Sequence, residues 1–334
     1  MGEAITKPVA VVTGGAGFIG SHLVDVLVER GFAVRVVDDL SGGHRSNLAH
    51  HPSDAVTVIE KDIRTLEPGD AAFAGARYVF HLAGIGDIVP SIEKPTQYMD
   101  VNVQGTVRVL ECARAAGVDK LVYAASSSCY GLAATPTRED HPIQPMYPYA
   151  LSKYQGEQAV MHWHKVYGLP VNAICIFNAY GPRVRTTGVY GAVFGVFLRQ
   201  KLAGKPFTVV GDGTQTRDFI YVRDVAEAFV AAALTPISGE RFNVGAGAPQ
   251  SINRLVEILG GEVVYVPKRP GEPDITHADI AKITTQLGWK PTVPFEQGVA
   301  NMLADIERWR DAPLWEPASI AKATQTWFRY MGEA

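Results

Sequence analysis

Tyr149 and Lys153 lie four residues apart in Tyr149-Ala-Leu-Ser-Lys153. On a helix that spacing puts a phenol and an ammonium on one face, one turn apart. A phenol with a pKa near ~10 is a poor base at neutral pH. A cation held beside it stabilises the phenolate and lowers that pKa, so the pair can take a proton from an alcohol. Exposed helices gather such pairs by chance, and the spacing alone does not make a site. The upstream Ser126-Ser127-Ser128 strengthens the reading, because it follows the β-prone run Lys120–Ala124. The carboxyl edge of a parallel sheet is where such folds bind ligands, and a serine hydroxyl there can hydrogen-bond the oxygen that exchanges a proton.

A second constellation opens the chain. Val9–Gly20 reads VAVVTGGAGFIG, a strand running into glycines and then a helix. It satisfies Gly15-x-Gly17-x-x-Gly20 and also the wider Gly14-x-x-Gly17-x-x-Gly20. Glycines there permit a tight turn and let backbone approach a pyrophosphate, which the helix N-terminus attracts. Asp38 follows the next strand, roughly 20 residues on, where a carboxylate accepts both ribose hydroxyls of a dinucleotide. The same charge repels a 2′-phosphate, so the pattern favours NAD over NADP. Asp62, after the third strand, is a candidate for the adenine side.

Strands are predicted at Val9–Thr13, Ala33–Val37, Val56–Glu60, Tyr78–Leu82, Lys120–Ala124 and Asn172–Phe177, with helices at Ser21–Arg30, Pro95–Ala116 and Ala150–Tyr167. Non-alternating apolar strands separated by helices imply an α/β fold, a doubly wound parallel sheet of the Rossmann type. After Asn178 the elements shorten and Gly/Pro turns multiply. The expected division is therefore residues 1–177 for NAD and 178–334 for a smaller α/β substrate lobe, with some late elements returning to the sheet. A terminal helix is expected after Asp311.

The bulk composition is a normal balance for a soluble protein with a sizeable core: 334 residues, 47% hydrophobic, 19% charged and a formal net charge of -3. Nothing in that balance favours nucleic acid as a partner. Cys112, Cys129 and Cys175 show no metal-ligand or CxxC spacing, so no metal site or disulfide framework is expected. Met1–Pro8 does not read as a leader, and no apolar run reaches the roughly 20 residues that span a bilayer. A cytoplasmic location is the expectation.

Taken in order, the TGGAGFIG loop, Asp38, Asp62-Ile63, His81-Leu82-Ala83, Ser126–Gly131, Tyr149/Lys153 and Asn178–Arg183 resemble the extended short-chain dehydrogenases that modify nucleotide sugars. The likeness continues through Gly211–Asp218, Phe242–Gly245 and Arg269–Glu272, and covers about residues 8 to 300. It implies NAD contacts from Gly14, Gly17, Phe18, Ile19 and Gly20, then from Asp38, Leu40, Asp62, Ile63, Leu82 and Ala83. Ser126, Tyr149 and Lys153 would be catalytic, with Tyr149 and Lys153 also facing the cofactor. Ser127 and Asp87 would border the sugar. Asn178, Arg217 and Arg269 would hold the diphosphate and Glu272 the nucleoside ribose, with Val193 and Thr208 nearby. Thr276 matches a position where a larger residue excludes N-acetyl groups. A homodimer packed through Pro95–Ala116 and Ala150–Tyr167 is implied in the same way.

Within that family the residues beside the serine distinguish reactions. Dehydratases resemble Thr-Asp-Glu at this point, and uronate decarboxylases keep the glutamate. Here three serines stand there with no acid, as in 4-epimerases of UDP-sugars. The expected reaction is 4-epimerisation of a UDP-hexose, with UDP-GlcNAc/GalNAc and UDP-glucose/galactose both open. Gly188–Ala192 also resembles epimerases of N-acetylhexosamines. A carboxylate at Asp87 should repel a uronic acid. Dehydratase, decarboxylase or reductase chemistry, or a catalytically dead sensor, are the rival readings. Cys129 reads as a small apolar residue beneath the site.

Overall fold

The computed structural model describes residues 7–186 and 193–332, so the Gly188–Ala192 motif lies outside the described residues. Six strands build most of the central sheet: β1 (Val9–Thr13), β2 (Ala33–Asp38), β3 (Val56–Glu60), β4 (Ala76–His81), β5 (Lys120–Ser126) and β6 (Val171–Ile176). A late strand, Glu240–Val244, returns beside β6 to give the order late strand-β6-β5-β4-β1-β2-β3, with every pairing parallel. The order reverses at β1, which creates the crevice between the carboxyl ends of β1 and β4 where such sheets take a dinucleotide.

Helices cover both faces, which is why the strands read as continuous apolar runs. On one face α1 (Phe18–Glu29) and the helix Val222–Leu234 bury Leu23, Leu27, Val225 and Phe229. On the other lie α2 (Ile88–Glu93), α3 (Pro95–Met99), α4 (Gly105–Ala116) and α5 (Pro148–Tyr167), where Val109, Leu110 and Val160 meet Leu121 and Tyr123. Proline at the first turn starts α5, and Gly168, left-handed at φ +69°, ends it.

Two differences from the sequence reading matter for the site. The single helix expected over Pro95–Ala116 is interrupted at Asp100–Gln104 by π-helical turns. Such a widened turn re-aims side chains and is common at functional positions. β5 also runs on to Ser126, so the first serine is the last residue of the strand and its hydroxyl caps the following turn. Beyond the sheet, residues Phe207–Val210 and Val263–Val266 form a separate parallel pair over a core containing Phe197, Phe207 and Trp309. The chain closes with two short helices, Pro317–Ala323 and Gln325–Met331.

Candidate active site

The glycine loop leaves no room for side chains. Gly14 is left-handed (φ +71°), and a Cβ there would lie 2.6 Å from the Ala83 amide nitrogen; one at Gly20 would lie 2.2 Å from the Gly14 carbonyl oxygen. Gly17 caps α1 with no side-chain acceptor, so the first amides of the helix, at Phe18 and Ile19, remain available to a phosphate. Asp38 ends β2 buried, accepting from the amides of Ala16 (2.9 Å) and Leu40 (2.9 Å). Burial raises its pKa and those two bonds oppose the rise. The carboxylate is thus fixed at the edge of the crevice, tied to the glycine loop itself. These features fit the pyrophosphate and ribose of NAD.

The remaining cofactor positions divide by role. Leu82 donates its amide to the Thr13 carbonyl (3.0 Å), aligning the Leu82–Ala83 turn with β1. Asp62 pairs with Arg64, whose side chain holds its carboxyl below the usual range. Ile63 is buried and touches α4 at Gly105, where a Cβ would meet it at 2.5 Å. His81 sits fully buried between the hydroxyls of Thr13 (2.7 Å) and Thr106 (2.9 Å). Burial drives its pKa down to about 3, so it is a neutral brace between β1, β4 and α4.

At the end of β5, Tyr149 Oη donates to Ser126 Oγ at 3.3 Å, and Ser126 Oγ shares a 2.7 Å bond with Ser128 Oγ. Burial raises the Tyr149 pKa, and the serine contact opposes that. Lys153 is buried on the same face of α5, its Nζ 4.3 Å from the centre of the Tyr123 ring. Burial pushes its pKa down to about 8, with Glu157 pulling the other way. The loop Gly84–Gly86 passes over both groups: a Cβ at Gly84 would lie 3.9 Å from Lys153 Nζ, and one at Gly86 would lie 4.0 Å from Tyr149 Oη. Asn102, from the π turn, pins this loop by bonding both polar groups of Ile85 (2.9 and 3.0 Å) and Ser152 Oγ (2.9 Å). Ser127, half-buried, occupies the turn between the two bonded serines.

The substrate positions are partly assembled. Thr276 Oγ1 donates to Asn178 Oδ1 (2.7 Å) and accepts from the Asp218 amide (3.1 Å), so its hydroxyl positions Asn178. Glu272 accepts from Arg217 Nη2 at 3.0 Å and forms an ion pair with Arg269, whose Nε is 3.1 Å away. Those three charges form one cluster. Asp87 faces Arg185 Nη1 at 3.4 Å. That pairing offsets the Asp87 charge. Val193 packs against the Tyr180–Phe194 core. Thr208 is buried with its hydroxyl accepting from Gln200 (2.9 Å), and the structure does not bring that side chain to the serines.

Sequence reading passed over Asn102, Tyr147, Glu157 and Arg241. Glu157 had a signal, since it continues the i, i+4 row from Tyr149 through Lys153. Its carboxylate takes Arg241 Nη2 at 3.0 Å, and Arg241 also reaches Cys129 Sγ at 2.8 Å. Cys129 donates to the Ser126 carbonyl (2.9 Å). These two contacts make Cys129 part of a buried polar cluster, in which the Cys175 thiol and Arg241 hold its pKa down against burial. One group of potential metal ligands occurs among the described residues, Asp25 with His50 and His51, and its carboxylate is already paired with Arg183 at 2.8 Å.

A doubly wound sheet with this loop, this acid and a Ser/Tyr/Lys set defines an NAD-dependent enzyme of the extended short-chain dehydrogenase/reductase type. Comparison with known proteins agrees. Residues 10–245 match the model of the NAD-dependent epimerase/dehydratase family. UDP-glucose 4-epimerase of Mycolicibacterium smegmatis is 39% identical over 301 residues, covering 87% of this chain and 96% of that protein. UDP-N-acetyl-alpha-D-glucosaminuronate decarboxylase of Bacillus cytotoxicus is 32% identical over 321 residues, covering 89% and 97%. A solved UDP-N-acetylglucosamine 4-epimerase from Methanobrevibacter ruminantium M1, in complex with UDP-N-acetylmuramic acid, superposes with a TM-score of 0.82 at 32% identity, over 90% of this chain and all of that one. The chain belongs to the NAD-dependent epimerase/dehydratase family, and NAD is its cofactor. Among the described residues no helix is long and apolar enough to cross a membrane.

Proposed function

We propose that the enzyme epimerises a UDP-activated hexose at C4. The observation that carries this is the neighbourhood of Ser126. Among the described residues its hydrogen-bond partners are Tyr149, Ser128 and the Cys129 thiol, and none of them is a carboxylate that could run elimination or decarboxylation. Bound NAD supplies a hydride acceptor and donor at C4. Tyr149, as phenolate, takes the proton of the 4-hydroxyl and later returns it. Ser126 Oγ, within reach of Tyr149 Oη, holds the same sugar oxygen. Lys153 keeps a cation beneath the phenolate. Arg217, Arg269 and Asn178 bind the diphosphate, where guanidinium forks suit phosphate oxygens. Holding the substrate by its nucleotide leaves the sugar ring free to present its other face. The sensor reading is disfavoured, because a sensor has no use for a Tyr149–Ser126 pair backed by a buried Lys153.

UDP-glucuronate is tested beside the two hexoses, because Arg185 offsets the Asp87 charge that would otherwise oppose a uronate. The experiment is incubation of the purified protein with UDP-GlcNAc, UDP-glucose and UDP-glucuronate, read by mass spectrometry and proton NMR. An isomer of equal mass is expected. Loss of water or carbon dioxide would overturn the epimerase reading. A homodimer through the outer faces of α4 and α5 is part of the same proposal. Leu151, Val166 and Tyr167 are exposed apolar groups on α5, and light scattering at several concentrations tests it.

A further inference from the structure

The last helix, Gln325–Met331, lies beyond the residues that the family model matches, yet it touches three segments that carry the site. Trp327 is its anchor, 4% exposed. The indole Nε1 donates to the Pro270 carbonyl at 2.7 Å, and the ring lies 5.6 Å from the Arg269 guanidinium. Its third neighbour is Tyr147, at 6.2 Å between ring centres. Tyr147 in turn lies parallel to Tyr149, 6.4 Å away with 9° between ring planes.

The rest of the helix extends the bridge. Trp327 and Met331 pack with Val89, Ile88 and Ile92 of α2, the helix that begins immediately after Asp87. Thr326 donates to Glu93 at 3.0 Å. Gly271, left-handed at φ +69°, is enclosed between Met146 and Met331, whose methyl carbons would lie 3.1 and 3.3 Å from a Cβ. Phe328, 39% exposed, and Gly332 form part of the wall of a cleft of about 560 Å³ that also contains Arg269 and Glu272.

A helix added only to cover apolar surface needs the α2 contact and nothing more. This one also fixes the backbone of the arginine loop, places an aromatic face against the arginine itself and buttresses the tyrosine that supports the base. We infer that Trp327 is a positioning residue, through which the C-terminal helix clamps the Arg269–Glu272 loop and the Asp87 loop around a nucleoside diphosphate sugar. This rests on the proposed reading for the identity of the ligand, though the clamp itself is a property of the fold. It makes the C-terminal segment part of the substrate site: the indole holds Arg269 aimed at the diphosphate while α2 holds the sugar end.

The test compares Trp327→Ala and Trp327→Phe in the full-length, NAD-loaded protein, using UDP as the probe. Bound NAD, measured after denaturation, should match wild type in both variants and shows that the fold is intact. Trp327→Ala should bind UDP about tenfold more weakly, the scale of a lost cation–π contact and hydrogen bond. KM for the turned-over UDP-sugar should rise by a similar factor, with a smaller change in kcat. Trp327→Phe keeps a ring against Arg269 and should recover most of the affinity. Hydrogen exchange should accelerate in Trp327→Ala at residues 268–274 and 86–93, and not in the glycine loop. Unchanged UDP affinity together with unchanged exchange in those two segments overturns the clamp. Accelerated exchange in a protein whose wild type binds no UDP leaves the clamp standing and sinks the UDP reading instead.

Discussion

Glu157 stands one helical turn beyond Lys153 on α5, and its carboxylate is held 3.0 Å from Arg241 beneath the catalytic face. Tyr149, Lys153 and Glu157 form a single row, i, i+4 and i+8, running from the reacting edge into the protein interior. The buried carboxylate favours the charged form of a lysine that burial would otherwise neutralise. Replacing it with glutamine should therefore lower the Lys153 pKa further below about 8. The cation is then lost at lower pH, so the alkaline limb of the kcat profile moves down in Glu157→Gln. The same change strands Arg241 without its ion-pair partner, at a cost of about 3–5 kcal/mol. Glu157→Gln/Arg241→Met should recover part of that stability while the alkaline limb stays displaced. A limb that does not move would show that Glu157 serves the fold alone.

Tyr149→Phe removes the only hydroxyl on this row. Turnover should fall by at least about 10²–10⁴-fold, the usual worth of a positioned acid/base, while NAD remains bound because the glycine loop and Asp38 are untouched. Ser126→Ala leaves the phenol without its hydrogen-bond acceptor but keeps the base, so a smaller loss in kcat is expected. The two variants should combine to less than the product of their separate effects, because they serve one proton. Steady-state kinetics on the four proteins of that cycle decide the point. Multiplicative losses would mean the 3.3 Å contact is not used in turnover.

How much of this was legible beforehand follows from how local each feature is. The glycine loop, Asp38 and the Tyr/Lys pair are read from short windows, because strand-turn-helix geometry and the helical repeat place them without help from distant residues. Asn102 was not legible: it reaches the Ile85 loop because the helix widens into π turns at Asp100–Gln104, and no residue type there announces that. Arg241 reaches Cys129 and Glu157 only because the late strand returns beside β6, a pairing set by tertiary structure. Thr208 was placed by the resemblance alone, and its hydroxyl is engaged by Gln200 in the core, a contact no local pattern announces.

If Asp38 faces the adenosine ribose, as its place at the end of β2 suggests, its charge sets the cofactor preference, and its geometry sharpens the prediction. Each carboxylate oxygen accepts one backbone amide, from Ala16 and from Leu40. Asp38→Asn keeps the shape but removes the negative charge and makes one end a donor facing a donor. NAD affinity should fall roughly 10- to 100-fold, as when a hydrogen bond to a charged group worth about 1.5–3 kcal/mol is lost. The ratio of NADP to NAD affinity should rise, because the repulsion toward a 2′-phosphate has gone. Competition binding of the two cofactors to stripped protein measures both. An unchanged ratio would show that the carboxylate does not face the 2′ position.

His22 gives a pH dependence outside the site. It is packed in α1, with Nε2 bonded to the Pro182 carbonyl at 3.0 Å and Nδ1 3.9 Å from Asp25. Burial is the main cause of its pKa falling from 6.5 to about 4. In the unfolded chain it titrates near its ordinary value, so between about pH 6.5 and 4 the unfolded state binds more protons than the folded one. Stability therefore rises with pH across that window and is lost as pH falls through it, by up to 1.36 kcal/mol per pH unit from one such group. His22→Gln keeps a side-chain amide to donate to Pro182 and removes the titration. Its denaturant midpoint should decline less than that of wild type between pH 6.5 and 4.5, even if the variant is the less stable protein at pH 7.5. Urea titrations at those three pH values check the sign directly. Parallel declines would mean that His22 titrates in the folded protein as it does in the unfolded chain, which its burial and the neighbouring Arg183 charge argue against, with the Pro182 carbonyl acting the other way.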